Sequence, residues 1–196
     1  MRVIAGKYKN KKIVSNVKGA SPTIKPTTSK IRESVFNIIY NYFAKHDLII
    51  EESTFLDLCC GTGAIGIEAI SRGFKQVYFL DNNYESLAIT KHNLATLKVD
   101  APNWRVIRSN ILNLEISEKI LFDAVYLDPP YNVPIIIDIL NSVNNFMHPN
   151  SLLIIETPRE ISPSALVNHE VISVKHYGNC VVSIVKIKKE VVAENI

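Results

Sequence analysis

Long apolar runs are missing from this sequence. No stretch approaches the ~18 residues that a membrane-spanning helix requires. The N-terminus, Met1-Arg2-Val3-Ile4-Ala5-Gly6-Lys7, has no extended apolar signal region. Neither membrane insertion nor export is expected, and a cytoplasmic location is. Cysteine is scarce: Cys59 and Cys60 are adjacent and Cys180 is distant, so neither a disulfide framework nor a metal spacing exists. His46, His92, His148, His169 and His176 show no partner spacing, and no metal is expected. Internal repeats and low-complexity segments are absent. What remains is a 196-residue chain, 47% hydrophobic and 21% charged, long enough for one core and a small appendage. A monomer is the default expectation.

Acidic residues are almost absent from the first 33 positions. Nine Lys/Arg stand there against Glu33 alone, a net +8, while the remainder carries −5. A basic head on a mildly acidic body suggests phosphate contact through the head. Within it, Val3-Ile4 and Ile13-Val14 could pair as short strands of a hairpin. Thr28 can cap a helix over 28–44, whose apolar positions Ile31, Val35, Ile38, Ile39, Tyr42 and Phe43 follow helical spacing.

Strands and helices then alternate. Strands are expected at 54–58, 76–80, 104–108, 122–127 and 151–156. Helices are expected at 64–72, closed by Gly73, at 84–97, and at 134–147 with Pro134 in the first turn. The tail breaks the alternation: 170–177 and 180–186 flank Gly178-Asn179 and read as an antiparallel hairpin. The expected fold is α/β, a Rossmann-like, doubly wound, mostly parallel sheet with a C-terminal antiparallel hairpin and a small basic N-terminal extension. The expected organisation is a head over 1–45, a cofactor-binding domain over 46–189 and a tail over 190–196.

Asp57-Leu58-Cys59-Cys60-Gly61-Thr62-Gly63-Ala64-Ile65-Gly66 joins the first strand to its helix. Its glycines permit a sharp turn and close approach of a ligand. Asp81, twenty residues after Gly61, can accept hydrogen bonds from both hydroxyls of an adenosine ribose, with Asn82 beside it. Gly61, Gly63 and Gly66 also satisfy G-x-G-x-x-G, so a nicotinamide dinucleotide competes. Two features favour S-adenosylmethionine. Asp57 stands where its charge could hold the methionine ammonium, and would repel a pyrophosphate. Asn110 and Ile111 offer an amide and an apolar side chain to an adenine. Cys59 reads as a small packing residue in the same loop.

A second site follows the fourth strand. Asp128 lies at the carboxyl end of the buried run Ala124-Val125-Tyr126-Leu127, where open α/β sheets bind ligands. Pro129 and Pro130 stiffen the turn, and Tyr131 adds a flat ring. One acceptor side chain, exposed carbonyls and a stacking surface suit an exocyclic amine on a planar base.

Asp57-x-x-x-Gly61-x-Gly63, Asp81 and Asp128-Pro-Pro-Tyr131 together resemble class I S-adenosylmethionine-dependent methyltransferases. Arg2-Val-Ile-Ala-Gly6, Lys25-Pro-Thr-Thr28 and Lys30-Ile-Arg-Glu-Ser-Val-Phe-Asn37 resemble the RsmD family, the 16S ribosomal RNA (guanine(966)-N2)-methyltransferases. Asn93-Leu-Ala-Thr-Leu-Lys98 and Tyr177-Gly178 are similar too, so the likeness runs to about Lys188. One departure is Lys25, where an arginine is expected; lysine lacks the bidentate fork. The resemblance implies methylation of a guanine N2 amine in small-subunit RNA, with the small ribosomal subunit as partner. Asp128, Pro129, Pro130 and Tyr131 would be catalytic. Arg2, Lys25, Thr27, Thr28 and Arg32 would grip RNA. The alternatives are an adenine-N6 methyltransferase on DNA or RNA, a protein-amide methyltransferase, an NAD-dependent oxidoreductase and a non-catalytic RNA-binding module.

Overall fold

The computed structural model describes residues 1–15, 27–116, 119–129 and 136–188. Lys25, Pro130, Tyr131 and Pro134 lie outside the described residues.

Seven strands form one sheet: β1 (Thr54–Leu58), β2 (Gln76–Asp81), β3 (Trp104–Arg108), β4 (Phe122–Leu127), β5 (Met147–Thr157), β6 (His169–Tyr177) and β7 (Cys180–Ile187). Their order is β3-β2-β1-β4-β5-β7-β6. β1 to β5 pair in parallel, while β7 pairs antiparallel with both β5 and β6. The parallel strands are apolar on both faces because helices cover both. α1 (Ser29–Lys45), α2 (Ala64–Ser71) and α3 (Tyr84–Thr96) pack on one face, with Phe36, Ile67, Phe79, Leu94 and Tyr126 in a shared cluster. α4 (Ile136–Asn144) covers the other, burying Ile136, Ile139, Leu140 and Val143 at helical spacing beside Leu58, Val125 and Ile155. The fold expected from the sequence is the one observed, including the hairpin at Gly178, whose φ of 61° suits a two-residue turn.

Two elements differ from expectation. β5 begins at Met147 rather than at 151. A register shift falls between Phe122 and Ala124, and Ser151 Oγ bridges the irregularity, donating to the Phe122 carbonyl at 2.6 Å. The two expected strands of the head reduce to a single antiparallel bridge, Arg2 to Lys12. Val3 donates to the Lys11 carbonyl and Ile13 to the Met1 carbonyl, each at 3.0 Å, while the other amides are committed to the helices. Ile4 and Ala5 each donate to the Glu68 carboxylate at 2.9 Å, and Val14 donates to Asn93 Oδ1 at 2.7 Å.

The head is therefore folded back on itself through a short pairing and is also joined to the helices. Ser71 Oγ accepts the Tyr8 N–H at 2.9 Å and donates to the Ala5 carbonyl at 2.5 Å. Gly6 permits this approach: at φ 78°, an added Cβ would stand 1.7 Å from the Ser71 carbonyl oxygen. Val3, Tyr8 and Ile13 enter the same core cluster as α1 and the sheet. No helix among the described residues is long and apolar enough to cross a membrane.

Glu68 is wholly buried and binds two head amides and the Arg72 guanidinium, whose Nε lies 2.9 Å away. Removing its carboxylate strands a largely buried arginine and two amides. Glu68→Ala should cost about 3–5 kcal/mol in urea unfolding. A loss under ~1 kcal/mol would mean that Arg72 and the head find other partners.

Candidate active site

The chain winds outward from β1 to β2 and β3, then crosses back to β4. The topological switch point thus falls between β1 and β4, where a crevice opens at the strands' carboxyl ends. A cleft of about 330 Å³ lies there. Asp57, Cys59, Gly61, Asp81, Asn82, Ile111, Asp128 and Pro129 line it, so most of the sequence-expected site residues meet in one place.

Asp57, near the end of β1, is 2% exposed and accepts the Gly66 N–H of α2 at 2.8 Å. Gly66 must be small, since an added Cβ would stand 2.2 Å from the Phe79 ring. Burial is the main cause that pushes the Asp57 carboxyl well above the usual range. The Gly66 amide opposes this, and the charges of Asp128 and Asp81 add to it. Asp81 Oδ2 accepts the Gly61 N–H at 2.9 Å and Oδ1 the Asn83 N–H at 2.9 Å, fixing its carboxylate at the loop. Gly63 caps α2 at φ 73°.

Burial is the main cause that raises the Cys59 and Cys60 thiols above their ordinary range, with Asp81, Asp128 and Asp57 adding to it at Cys59 and Asp57 and Asp81 at Cys60. Both stay protonated and poorly nucleophilic, in keeping with a packing role. Cys59 also sits at a left-handed φ of 62°, rare for a side-chain-bearing residue.

Asn110 does not line the cleft. Its Oδ1 accepts the Leu112 N–H at 3.0 Å within the turn it opens, and Ser109 and Ile111 line the wall instead. Of the head residues, Thr27 lines the cleft and Thr28 caps α1 through Ile31 N–H at 3.3 Å. Arg2 is exposed and donates to the Asn10 carbonyl at 2.6 Å. Arg32 is wholly buried, donating through Nη2 to the Arg2 carbonyl and Ser29 Oγ. Its Nε and Nη1 have no hydrogen-bond partner among the described residues, and burial lowers its pKa. An exposed phosphate cannot reach that guanidinium in this arrangement.

The sequence reading passed over Ser86, Ser109 and Tyr126, which also line the cleft. Tyr126 carried a signal: a polar tip in a buried strand two residues before Asp128.

Three carboxylates line the cleft, and no lysine or arginine stands among its described lining residues. A dinucleotide would bring its pyrophosphate against them. S-adenosylmethionine brings a sulfonium and an ammonium, and the donor set fits that cationic group. Asp57 would face the ammonium, Asp81 the ribose, and Ile111 the adenine.

Residues 1–186 match the protein family described as Conserved hypothetical protein 95. The chain belongs to this family. It is 32% identical over 191 residues to YlbH of Bacillus subtilis, covering 95% of this chain and 98% of that one. It is also 32% identical over 165 residues to the ribosomal RNA small subunit methyltransferase D of Haemophilus influenzae, covering 82% and 80%. The solved structure of YhhF from Escherichia coli superposes with a TM-score of 0.78 at 24% identity, covering 96% and 98%, and shares the fold. The protein is a class I S-adenosylmethionine-dependent methyltransferase related to the RsmD-like proteins.

A carboxyl whose pKa is raised by folding retains its proton longer in the folded state. Its contribution to stability is complete below the ordinary carboxylate range and is lost as pH rises through the raised value. A cation bound beside Asp57 needs the ionised form, so S-adenosylmethionine affinity should increase with pH through that window. Asp57→Asn should flatten the pH profile in calorimetric titrations and weaken binding roughly a hundredfold. It should also leave the free protein at least as stable. A pH profile unchanged by the substitution would remove Asp57 from the cofactor contact.

Proposed function

We propose that this protein methylates the exocyclic N2 amine of a guanine in small-subunit ribosomal RNA. The observation that carries the reading is the position of Asp128 and Pro129. They close the same cleft as Asp57 and Asp81, one strand across the switch point, so an acceptor pair for an amine adjoins the cofactor site. The relative named as a small-subunit ribosomal RNA methyltransferase supports the substrate class.

The N2 lone pair of guanine is delocalised into the ring and is a weak nucleophile. Asp128 and the Pro129 carbonyl accept its two N–H groups, drawing the nitrogen toward tetrahedral geometry and localising the pair. S-adenosylmethionine supplies the electrophilic methyl. Asp128 or water takes the released proton. Tyr131, outside the described residues, would stack on the base and fix its plane. The target base leaves its stack to enter.

The exposed cations of the head, Arg2, Lys9, Lys11 and Lys12, together with Lys25, Thr27 and Thr28, form the RNA-contacting set. Arg32 would hold the head from within. Function as a cytoplasmic monomer on the assembling subunit completes the reading.

The test is methyl transfer from labelled S-adenosylmethionine to undermethylated small subunits, followed by nucleoside analysis. N2-methylguanine is expected with the intact protein. Asp128→Ala should lower the rate by about 100-fold or more while cofactor binding persists. N6-methyladenine as the product would overturn the base assignment.

A further inference from the structure

The amine acceptors Asp128 and Pro129 use only part of the guanine edge. Guanine presents a second donor, N1–H, beside N2. Adenine presents an acceptor, N1, beside its amine. A site that holds N2 through Asp128 and Pro129 needs another acceptor to tell the two bases apart.

Glu156, one strand over from Asp128, is the candidate for that acceptor. β4 and β5 pair through Leu127 and Ile155, so Asp128 and Glu156 are the next positions on adjacent strands. Tyr126 and Ile154 face the cluster shared with α1, whereas Leu127 and Ile155 face the other side. The alternation therefore turns Glu156, like Asp128, to the face of Tyr126. Glu156 is partly exposed although the four residues before it in β5 are buried.

Its carboxylate is held from both ends. The Tyr126 hydroxyl donates to Oε2, and Cys180 Sγ donates to Oε1 at 3.1 Å. Tyr126 itself lines the cleft and meets Thr27, so its partner Glu156 stands at the cleft margin. Two donors fix the plane of the carboxylate. A carboxylate has about four lone-pair sites, so accepting capacity remains. Burial raises the Tyr126 hydroxyl well above its ordinary range, and the charges of Glu156 and Asp128 add to it.

Resting on the guanine-N2 reading above, we propose that Glu156 accepts the N1–H of the target guanine and is the residue that selects guanine over adenine. An adenine turned into the same pose would place its N1 lone pair against this carboxylate. That repulsion acts beside the amine, where register of the base decides whether the amine meets Asp128.

The test uses small subunits reconstituted with RNA carrying guanine or 2-aminopurine at the target position. 2-Aminopurine keeps the exocyclic amine but has a lone pair at N1. The wild-type protein should methylate guanine at least tenfold more efficiently, in kcat/KM, than 2-aminopurine. Glu156→Gln preserves an oxygen for Tyr126 and offers an amide N–H to the 2-aminopurine N1. It should lower kcat/KM on guanine by about tenfold to a hundredfold and narrow the preference by at least tenfold, with S-adenosylmethionine affinity unchanged. Equal use of both bases by the wild type overturns the proposal without reference to any variant. So does a preference that Glu156→Gln leaves intact. Failure of the wild type to form N2-methylguanine on natural subunits would instead refute the underlying function.

Discussion

The structure depends on one buried carboxylate. Asp57 stands near the carboxyl end of β1, almost without solvent, and accepts one amide of α2. An ion so placed loses several kcal/mol of hydration. The fold tolerates this because the carboxyl can hold its proton until a cation arrives. Every neighbour works in the same direction: Asp81 and Asp128 add negative charge, and the described lining supplies no basic side chain to cancel it. The cleft thus has a strong preference for positive charge, built from the ends of three parallel strands. That preference separates a sulfonium cofactor from a dinucleotide more clearly than the glycine spacing, which serves either.

The second constraint is the attachment of the head. Val3 and Ile13 pair within the head, but other amides leave it. They terminate on Glu68 and Ser71 in the second half of α2 and on Asn93 in α3. Because α2 runs back from the strand ends, Glu68 and Ser71 lie away from the cleft. The chain then returns toward it: Asn93 Nδ2 donates both to the Val14 carbonyl at 2.9 Å and to the Thr62 carbonyl of the cofactor loop at 3.0 Å. Thr27 next lines the cleft itself. One asparagine joins the returning head to the loop that shapes the cofactor site. Packing of Val3, Tyr8 and Ile13 into the common core makes this attachment firm rather than incidental.

Periodicity alone was enough to read the parallel sheet, because buried strands are short apolar runs and the helices between them carry caps at Thr28, Asn83 and Gly73. The meeting of Asp57, Asp81 and Asp128 followed from their places at strand ends, which an open α/β sheet brings to one edge. Burial was less legible. Arg32 reads as one more cation of a basic head, yet its position one residue after Ile31 turns it into the core beside Glu68. Asn110 reads as a base-facing amide, yet the neighbouring Leu112 amide claims its oxygen. Thr27 reads as a phosphate contact and instead reaches the cleft and Tyr126. Arg32 and Thr27 were set by neighbours distant in sequence, Asn110 by an amide two residues on. The early start of β5 depends on Ser151, whose hydroxyl ties the His148 amide to the Phe122 carbonyl across the register shift.

The polarity of the cleft creates a problem for any RNA substrate, and the layout of the chain resolves it. Phosphates are repelled by the carboxylates that hold a cationic cofactor, over a range of about 8–10 Å at physiological salt. The backbone of the RNA must therefore stay outside the cleft while one base reaches in. A base carries no net charge and presents N–H donors, so the same carboxylates that repel phosphate attract a guanine edge. The described cations Arg2, Lys9, Lys11 and Lys12 are exposed and do not line the cleft, so they can meet phosphates without standing beside Asp57 or Asp128. Separating an acidic floor from a basic rim lets electrostatics admit the base, exclude its backbone and favour the methyl donor together. A cleft that instead carried lysine or arginine in its lining would bind RNA more tightly and lose the discrimination between phosphate and base on which the chemistry depends.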